Sequence, residues 1–359
     1  MDQRQTEVIQ INPTQPEPES IARAAALLRS GELVVFPTET VYGLGADALQ
    51  TSAVERIFVA KGRPYSDPLI AHIADERDLE KVAVDIPSVA RKLAQAFWPG
   101  PLTLILPAGP HIPRLVTAGL TTVAVRMPRH PVALALIRAA EVPIAAPSAN
   151  RFMHVSPTTA QHALTDLCGR VPLILDGGPC EVGVESTILD LCADIPTILR
   201  PGGISLEALR TLLPTVQPPV RQTQRHEDRH DEHTSQKSPG QMLMHYAPSV
   251  PSFLFEGSNE TMRMAMLAEV QRRRAQGERV GVLIADEDIE AFQNSGAQIY
   301  ALGRAEASEQ VPTRLFAGLR ALEEVGVQVI LCRSFSEEGL GLAIRDRLLK
   351  ATGGKIIRV

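Results

Sequence analysis

Apolar positions in the first 215 residues fall into short runs of two kinds. SIARAAALLRSGE (20–32) carries an apolar stripe from Ile21 to Leu28 at helical spacing and meets Gly31, which predicts a helix ending there. ELVVF is short and β-branched and predicts a strand that runs into the polar segment PTETVYGLG (37–45). Ser52 and Glu55 have the spacing of a capping box and predict a helix that ends near Lys61. LIAHIA, LTLIL, TVAVRM, PIAA, PLILD, STILDL and PTILR read as strands, most of them closed by Pro or Gly. Helices are predicted over 87–97, 131–140, 158–166 and 204–213. So many strands with several short connections favour a mixed sheet over a purely parallel one.

The pattern breaks at residues 214–240, which are polar, contain proline and hold almost no large apolar side chain. This stretch reads as an exposed linker. Beyond it the pattern is more regular. SFLFE, RVGVLIA, AQIYAL and VQVILC are strands, separated by helical segments near 260–275, 307–325 and 339–350. Alternation of this length implies a small parallel α/β sheet. There is no internal repeat.

Composition narrows the classes. With 359 residues, 44% apolar and 21% charged, the chain is long enough for two domains and is not a disordered chain, a collagen-like repeat or a coiled coil. The net charge of −5, four of it within residues 1–215, gives no polycationic surface for non-specific nucleic-acid binding. No apolar run approaches the ~18 residues of a membrane span, and the polar N-terminus lacks a signal-peptide core. Four cysteines without a CxxC pair are no disulfide scaffold, so a reduced, cytoplasmic location is expected.

Several motifs are missing: the P-loop, GxGxxG after a strand, HExxH and GxSxG. No metal site is expected. His226, His230 and His233 in the linker would share a face only on a helix, and a solvated linker is the simpler reading. What remains is a set of polar segments at strand ends, where α/β proteins place ligands. Lys61 and Arg63, beside Gly62 and Pro64, suit an anion such as a polyphosphate, or simply close a helix C-terminus. Arg126 in the apolar run TTVAVRMP shares a face with Thr122 and Ala124; it either meets an anionic partner or reaches solvent from an edge strand. Ser148 and Asn150 in APSAN suit a phosphate or ribose, or form a plain turn. Arg200 after PTIL poses the same question as Arg126. His72 in LIAHIA, taken alone, is an interior histidine.

Taken together, PTETVYGLG, KGRP with DPL, WPGPLT, VAVRMP, APSAN, DGG with GVESTI, and LRPG occur in one order and spacing. This order closely resembles the YrdC-type threonylcarbamoyl-AMP synthases over about residues 18–213. The linker, PGQMLMHYAP (239–248) and the α/β tail are similar to the long, two-domain form of that family. The resemblance implies a YrdC-like twisted open mixed α/β sheet in residues 1–213. It further implies a linker over 214–248 whose HYAP segment lies over the active site, and a smaller Rossmann-like parallel α/β domain in 249–359. It implies synthesis of threonylcarbamoyl-AMP and pyrophosphate from L-threonine, bicarbonate and ATP, with Mg²⁺ accompanying the nucleotide. The product would pass to other proteins that complete a tRNA modification, with at most weak tRNA contact and no membrane.

The family's functional residues carry over by motif. Lys61, Arg63, Ser148, Asn150 and Arg200 would contact ATP, with Thr122, Ser156 and Tyr246 as further nucleotide contacts. Thr38, His72, Arg126 and Ser186 would line the threonine side. Lys61 and Arg63 are the expected catalytic cations. No protein nucleophile is needed; the work is positioning and charge stabilisation. Two rivals remain. An RNA-binding module of the same fold would need a basic, aromatic-rich surface, and this chain has 4% aromatics. A carbamoyl-transfer domain of the hydrogenase-maturation type would come with zinc-binding CxxC pairs.

Overall fold

The computed structural model describes residues 5–219, 236–240, 246–306 and 310–359. The chain divides into two units. The first is 1–152 with 156–241, the second 153–155 with 242–359. The histidines His226, His230 and His233 lie outside the described residues.

The first unit is built on ten strands. They are β1 (Glu7–Gln10), β2 (Val34–Phe36), β3 (Gly43–Asp47), β4 (Ile70–His72), β5 (Leu102–Pro107), β6 (Thr122–Arg126), β7 (Ile144–Ala145), β8 (Leu173–Asp176), β9 (Thr187–Asp190) and β10 (Thr197–Arg200). Their order across the sheet is β1-β8-β2-β3-β7-β4-β6-β5-β9-β10. Antiparallel pairs β2/β3 and β5/β6 sit beside parallel pairs β4/β6 and β5/β9, so the sheet is mixed as the short connections require. One face packs a large core that includes Val54, Ile57, Leu93, Leu104, Val125 and Leu189. Burying each such side chain contributes about 1.5–3 kcal/mol. The strand β3 was hidden in the sequence because two of its five residues are glycine. Gly45 explains why: a Cβ there would stand 2.8 Å from the Phe36 ring and 2.9 Å from Ile144.

Helices follow the periodicity. Pro18–Arg29 buries Ile21, Ala24, Ala25 and Leu28, and Gly31 follows it at φ +81°. The helix Thr51–Lys61 ends at left-handed Gly62. It starts from Gln50 without a side-chain cap, so the Ser52–Glu55 capping box does not form: Ser52 already lies inside the first turn. The linker's described ends are not simply exposed. Val216 is buried, and Gln217 extends the β10 edge through Ile198 N–H to its carbonyl at 3.0 Å. Ser238, Pro239 and Gly240 are buried, and Gln236 N–H donates to the Ser66 carbonyl at 3.0 Å.

The second unit carries five parallel strands: β11 (Ser252–Glu256), β12 (Val280–Ile284), β13 (Gln298–Ala301), β14 (Val329–Arg333) and β15 (Ile356–Arg358). Their order is β13-β12-β14-β11-β15. The edge strand β15 escaped the pattern reading because IIR is too short to show a period. At the carboxyl edge of this sheet Arg333 pairs with Asp288 and donates to Asn259 at 2.6 Å, so it bridges the segments that follow β12 and β11. Residues 153–155 join this unit through Ala247 N–H to Met153 carbonyl at 2.9 Å and the Arg320 guanidinium to the Val155 carbonyl.

Candidate active site

Strand register gathers the site. His72 on β4 is paired with Arg126 on β6, Arg126 with Thr103 on β5, Thr103 with Ile188 on β9, and Ile188 with Arg200 on β10. These residues form one row across five strands. Alternation puts them on the face that carries the small cluster of Ile70, Ile105, Ala124 and Ile188, opposite the main core and beside a second core cluster that includes Ile144, the β7 partner of His72. Polar residues at strand ends are thus one constellation.

Arg126 is 4% exposed and its guanidinium makes two hydrogen bonds and one close charge contact. Nε donates to the Gly100 carbonyl at 3.3 Å, Nη1 donates to Thr40 Oγ1 at 2.9 Å, and Nη2 lies 2.7 Å from Glu39 Oε1. Of the two alternatives left by the sequence, the buried arginine with an anionic partner is the one observed. Thr38 organises the same turn: its Oγ1 donates to the Val41 carbonyl at 2.6 Å and accepts from the Thr40 and Val41 N–H groups. His72 is buried, with Nδ1 3.2 Å from the Ile70 carbonyl, and its pKa is pushed down to about 3 by burial and by the Arg126 charge. It is a neutral hydrogen-bonding group at neutral pH.

On the other side of the row, Arg200 donates through Nε and Nη2 to the Ser186 carbonyl at 3.2 and 3.1 Å and through Nη2 to Ser186 Oγ at 3.1 Å. Ser186 Oγ is 2.7 Å from Thr103 Oγ1, which connects Arg200 to the β5 residue paired in register with Arg126. Ser156 Oγ donates to Glu185 at 2.5 Å. This corner needs glycine at 202, where a Cβ would stand 2.3 Å from the Glu185 carbonyl and 2.4 Å from the Ser186 carbonyl carbon, with no flexible atom to yield. Gly202→Ala is therefore expected to push β10 off Ser186, lower Tm by several degrees and cost about tenfold or more in activity. Melting and turnover measured together check it; a variant with wild-type values in both shows that the corner is slack.

Lys61 closes its helix and points back into the sheet. Its ammonium donates to the backbone carbonyls of Ser148 and Asn150, with Asn150 Oδ1 at 3.4 Å. Burial pushes its pKa well down, and neighbouring Arg63 adds to that. Arg63 donates to the carbonyls of Asp67 at 3.1 Å and Pro68 at 2.7 Å and pairs with the Asp67 carboxylate at 3.0 Å. The segment 147–149 is stitched to the turn after Thr40 by Leu44 N–H to Pro147 carbonyl at 2.8 Å and Ala149 N–H to Tyr42 carbonyl at 2.8 Å. The charges of Lys61, Arg63 and Arg200 all bear on Asp67, whose carboxyl is raised first by burial, so these cations converge.

Ten of the twelve residues expected from sequence lie in these two linked clusters. Thr122 does not: it is half-buried at the other end of β6, about 13 Å along the strand from Arg126. Tyr246 belongs to the second unit, where its ring stacks on Phe316 at 5.6 Å and lies under the Arg347 guanidinium at 5.1 Å. The sequence marks Glu39 and Thr40 as polar residues of a strand-end segment without giving them a role, and it does not single out Asp67, Thr103 or Glu185. Signals existed: Asp67 stands four residues after Arg63, and Thr103 interrupts an apolar strand. Among the described residues no group of three or more His, Cys, Asp or Glu could hold a metal, and no helix is long and apolar enough to cross a membrane.

Known proteins resemble the chain over nearly its whole length. The Sua5/YciO/YrdC family model, described as telomere recombination, matches residues 26–202. A model described as the threonylcarbamoyl-AMP synthase C-terminal domain matches 204–353. The threonylcarbamoyl-AMP synthase of Bacillus subtilis (strain 168) is 47% identical over 342 residues, covering 94% of each chain. That of Pyrococcus abyssi is 44% identical over 336 residues, covering 94% of this chain and 95% of the relative. The crystal structure of P. abyssi Sua5 complexed with L-threonine superposes with a TM-score of 0.89 at 42% identity, covering 98% of this chain and 99% of that one. The chain belongs to the threonylcarbamoyl-AMP synthase family, in the long form that carries both domains.

Proposed function

We propose that this chain condenses L-threonine, bicarbonate and ATP into threonylcarbamoyl-AMP and pyrophosphate. The observation that carries the reading is the cross-sheet row. It places a fixed guanidinium, Arg126, beside hydroxyls on one side and links it through Thr103 and Ser186 to a second, phosphate-suited cation cluster. An amino acid and a nucleotide are the two anions such a surface can bring together.

In the reaction, the threonine amine captures carbon dioxide from bicarbonate, with loss of water, to give a carbamate. A carbamate oxygen then forms a bond to the α-phosphorus of ATP while the bond to the β-phosphate oxygen breaks and pyrophosphate leaves. The protein holds the two anions in line and stabilises charge on the leaving group. Arg126 would orient the threonine carboxylate, with Thr38, neutral His72 and Ser186 hydrogen-bonding the amino acid. Lys61, Arg63 and Arg200 would face the phosphates. Ser148, Asn150 and Ser156 would line the nucleotide, with Thr122 and Tyr246 added by their family motifs. Mg²⁺ enters with the substrate: magnesium is usually held by phosphates and few protein groups. Asp67, one of the carboxylates near the phosphate-side cations, is already paired with Arg63 at 3.0 Å. The labile product would pass to proteins that transfer the threonylcarbamoyl group to tRNA.

The test is pyrophosphate release from purified protein with Mg-ATP, bicarbonate and L-threonine, omitting each in turn. Release that needs both threonine and bicarbonate is the expected result. A folded, ATP-binding protein that releases none, yet binds tRNA in a salt-sensitive way, would replace this reading with the RNA-binding one.

A further inference from the structure

Glu39 is the residue of the PTET turn that the reaction leaves without a task. It is 1% exposed, and neither carboxylate oxygen accepts a hydrogen bond. Its backbone is pinned, with the carbonyl accepting from Val182 N–H at 2.7 Å. The Arg126 Nη2 atom lies 2.7 Å from Oε1, yet it too makes no hydrogen bond, so the pair touches out of alignment. A misaligned contact does not orient a guanidinium. Orientation comes from the Gly100 carbonyl on Nε and Thr40 Oγ1 on Nη1. What Glu39 adds at this distance is charge alone. A buried carboxylate with no hydrogen bond is costly, and its retention calls for a use.

We propose that Glu39 is a built-in counter-ion that sets the effective charge of Arg126 and so limits how tightly the site grips the carboxylate of its amino-acid substrate. The proposal rests on the assignment of Arg126 to that carboxylate. Threonylcarbamoyl-AMP keeps the threonine carboxylate, so a stronger cation holds substrate and product alike. Uniform tightening lowers KM without raising kcat, and it slows product release. Partial neutralisation by Glu39 keeps Arg126 orienting while letting product go. Glu39 is thus a positioning residue that acts through Arg126.

The full-length variants Glu39→Gln, Glu39→Asp and Arg126→Gln test this by pyrophosphate release with threonine and Mg-ATP varied in turn, and by melting with and without threonine. Glu39→Gln is expected to lower the threonine KM about fivefold or more and to lower kcat comparably. The ATP KM stays within about twofold, and threonine raises Tm by more than in the parent. Glu39→Asp, which keeps the charge, returns these values toward the parent. A threonine KM that is unchanged or raised in Glu39→Gln overturns the proposal, as does an equal shift in both KM values. If Glu39→Gln does not fold, the double variant Glu39→Gln/Arg126→Gln decides. With both charges gone it folds and binds threonine as weakly as Arg126→Gln; a double variant that also fails to fold shows that Glu39 serves the turn itself and overturns the proposal. Arg126→Gln keeps the two readings apart. If it leaves the threonine KM unchanged, the assignment of Arg126 fails and the proposal with it. If it raises that KM while Glu39→Gln does not lower it, only the counter-ion proposal fails.

Discussion

Lys61→Ala is expected to cut threonine-dependent pyrophosphate release by about 100-fold or more, the scale on which one preorganised electrostatic contact is worth in an active site. Two effects add. The variant removes a cation from the cluster that includes Arg63 and Arg200. It also strips the backbone carbonyls of Ser148 and Asn150 of their donor, in a place where both residues help to shape the same surface. Each buried carbonyl left unpaired costs about 1–3 kcal/mol, so the segment will rearrange to find water. Lys61→Met separates the effects, because it keeps the stem and removes the charge. If Lys61 faces the phosphates, both variants lose activity alike and the ATP KM rises. If Lys61 only ties down residues 148–150, the loss follows Tm and vanishes in any variant that melts like the parent. Lys61→Arg is not expected to rescue, since the ammonium is buried against two backbone carbonyls and a guanidinium needs a wider, planar space.

How much of this was legible beforehand depends on the kind of signal. Amphipathic helices such as Pro18–Arg29 and Pro131–Ala140 announce themselves, because their buried positions repeat at three and four residues. The strands β1 and β15 do not, since three or four residues at a sheet edge carry no measurable period. Arg126 and Arg200 were legible as questions: a charge in an apolar strand must meet something. That they share one row, linked through Thr103 and Ser186, was not, because register between β4, β6, β5, β9 and β10 is a tertiary property. Glu39 was hidden for a different reason. A glutamate between two threonines in a polar segment looks solvated, and nothing in the sequence shows that residues 182–183 bond to the turn and that Arg126 lies against its carboxylate. The inclusion of residues 153–155 in the second unit left no trace in composition at all.

Arg126→Ala is the second large effect, and it reaches stability as well as catalysis. Removing the guanidinium leaves the Glu39 carboxylate buried with neither hydrogen bond nor counter-charge. Breaking a buried pair in this way costs about 3–5 kcal/mol, which for a unit of this size lowers Tm by about 10 °C. The threonine KM is expected to rise about tenfold or more, the ATP KM much less. His72 supplies an independent readout. In the parent its pKa is pushed down to about 3, first by burial and then by the Arg126 charge. Because the unfolded chain binds that proton near pH 6.5, the parent loses stability as pH falls from about 6.5 toward about 3. In Arg126→Ala the second cause is gone while burial remains. The His72 pKa should therefore move up but stay below its ordinary value, and a resonance titration of the imidazole follows it directly. A variant whose His72 titrates as in the parent has not lost a nearby charge, which would mean that Arg126 is screened by Glu39 almost completely. An effect confined to the ATP KM would instead exchange the two subsites, placing the nucleotide beside Thr38 and the amino acid beside Lys61.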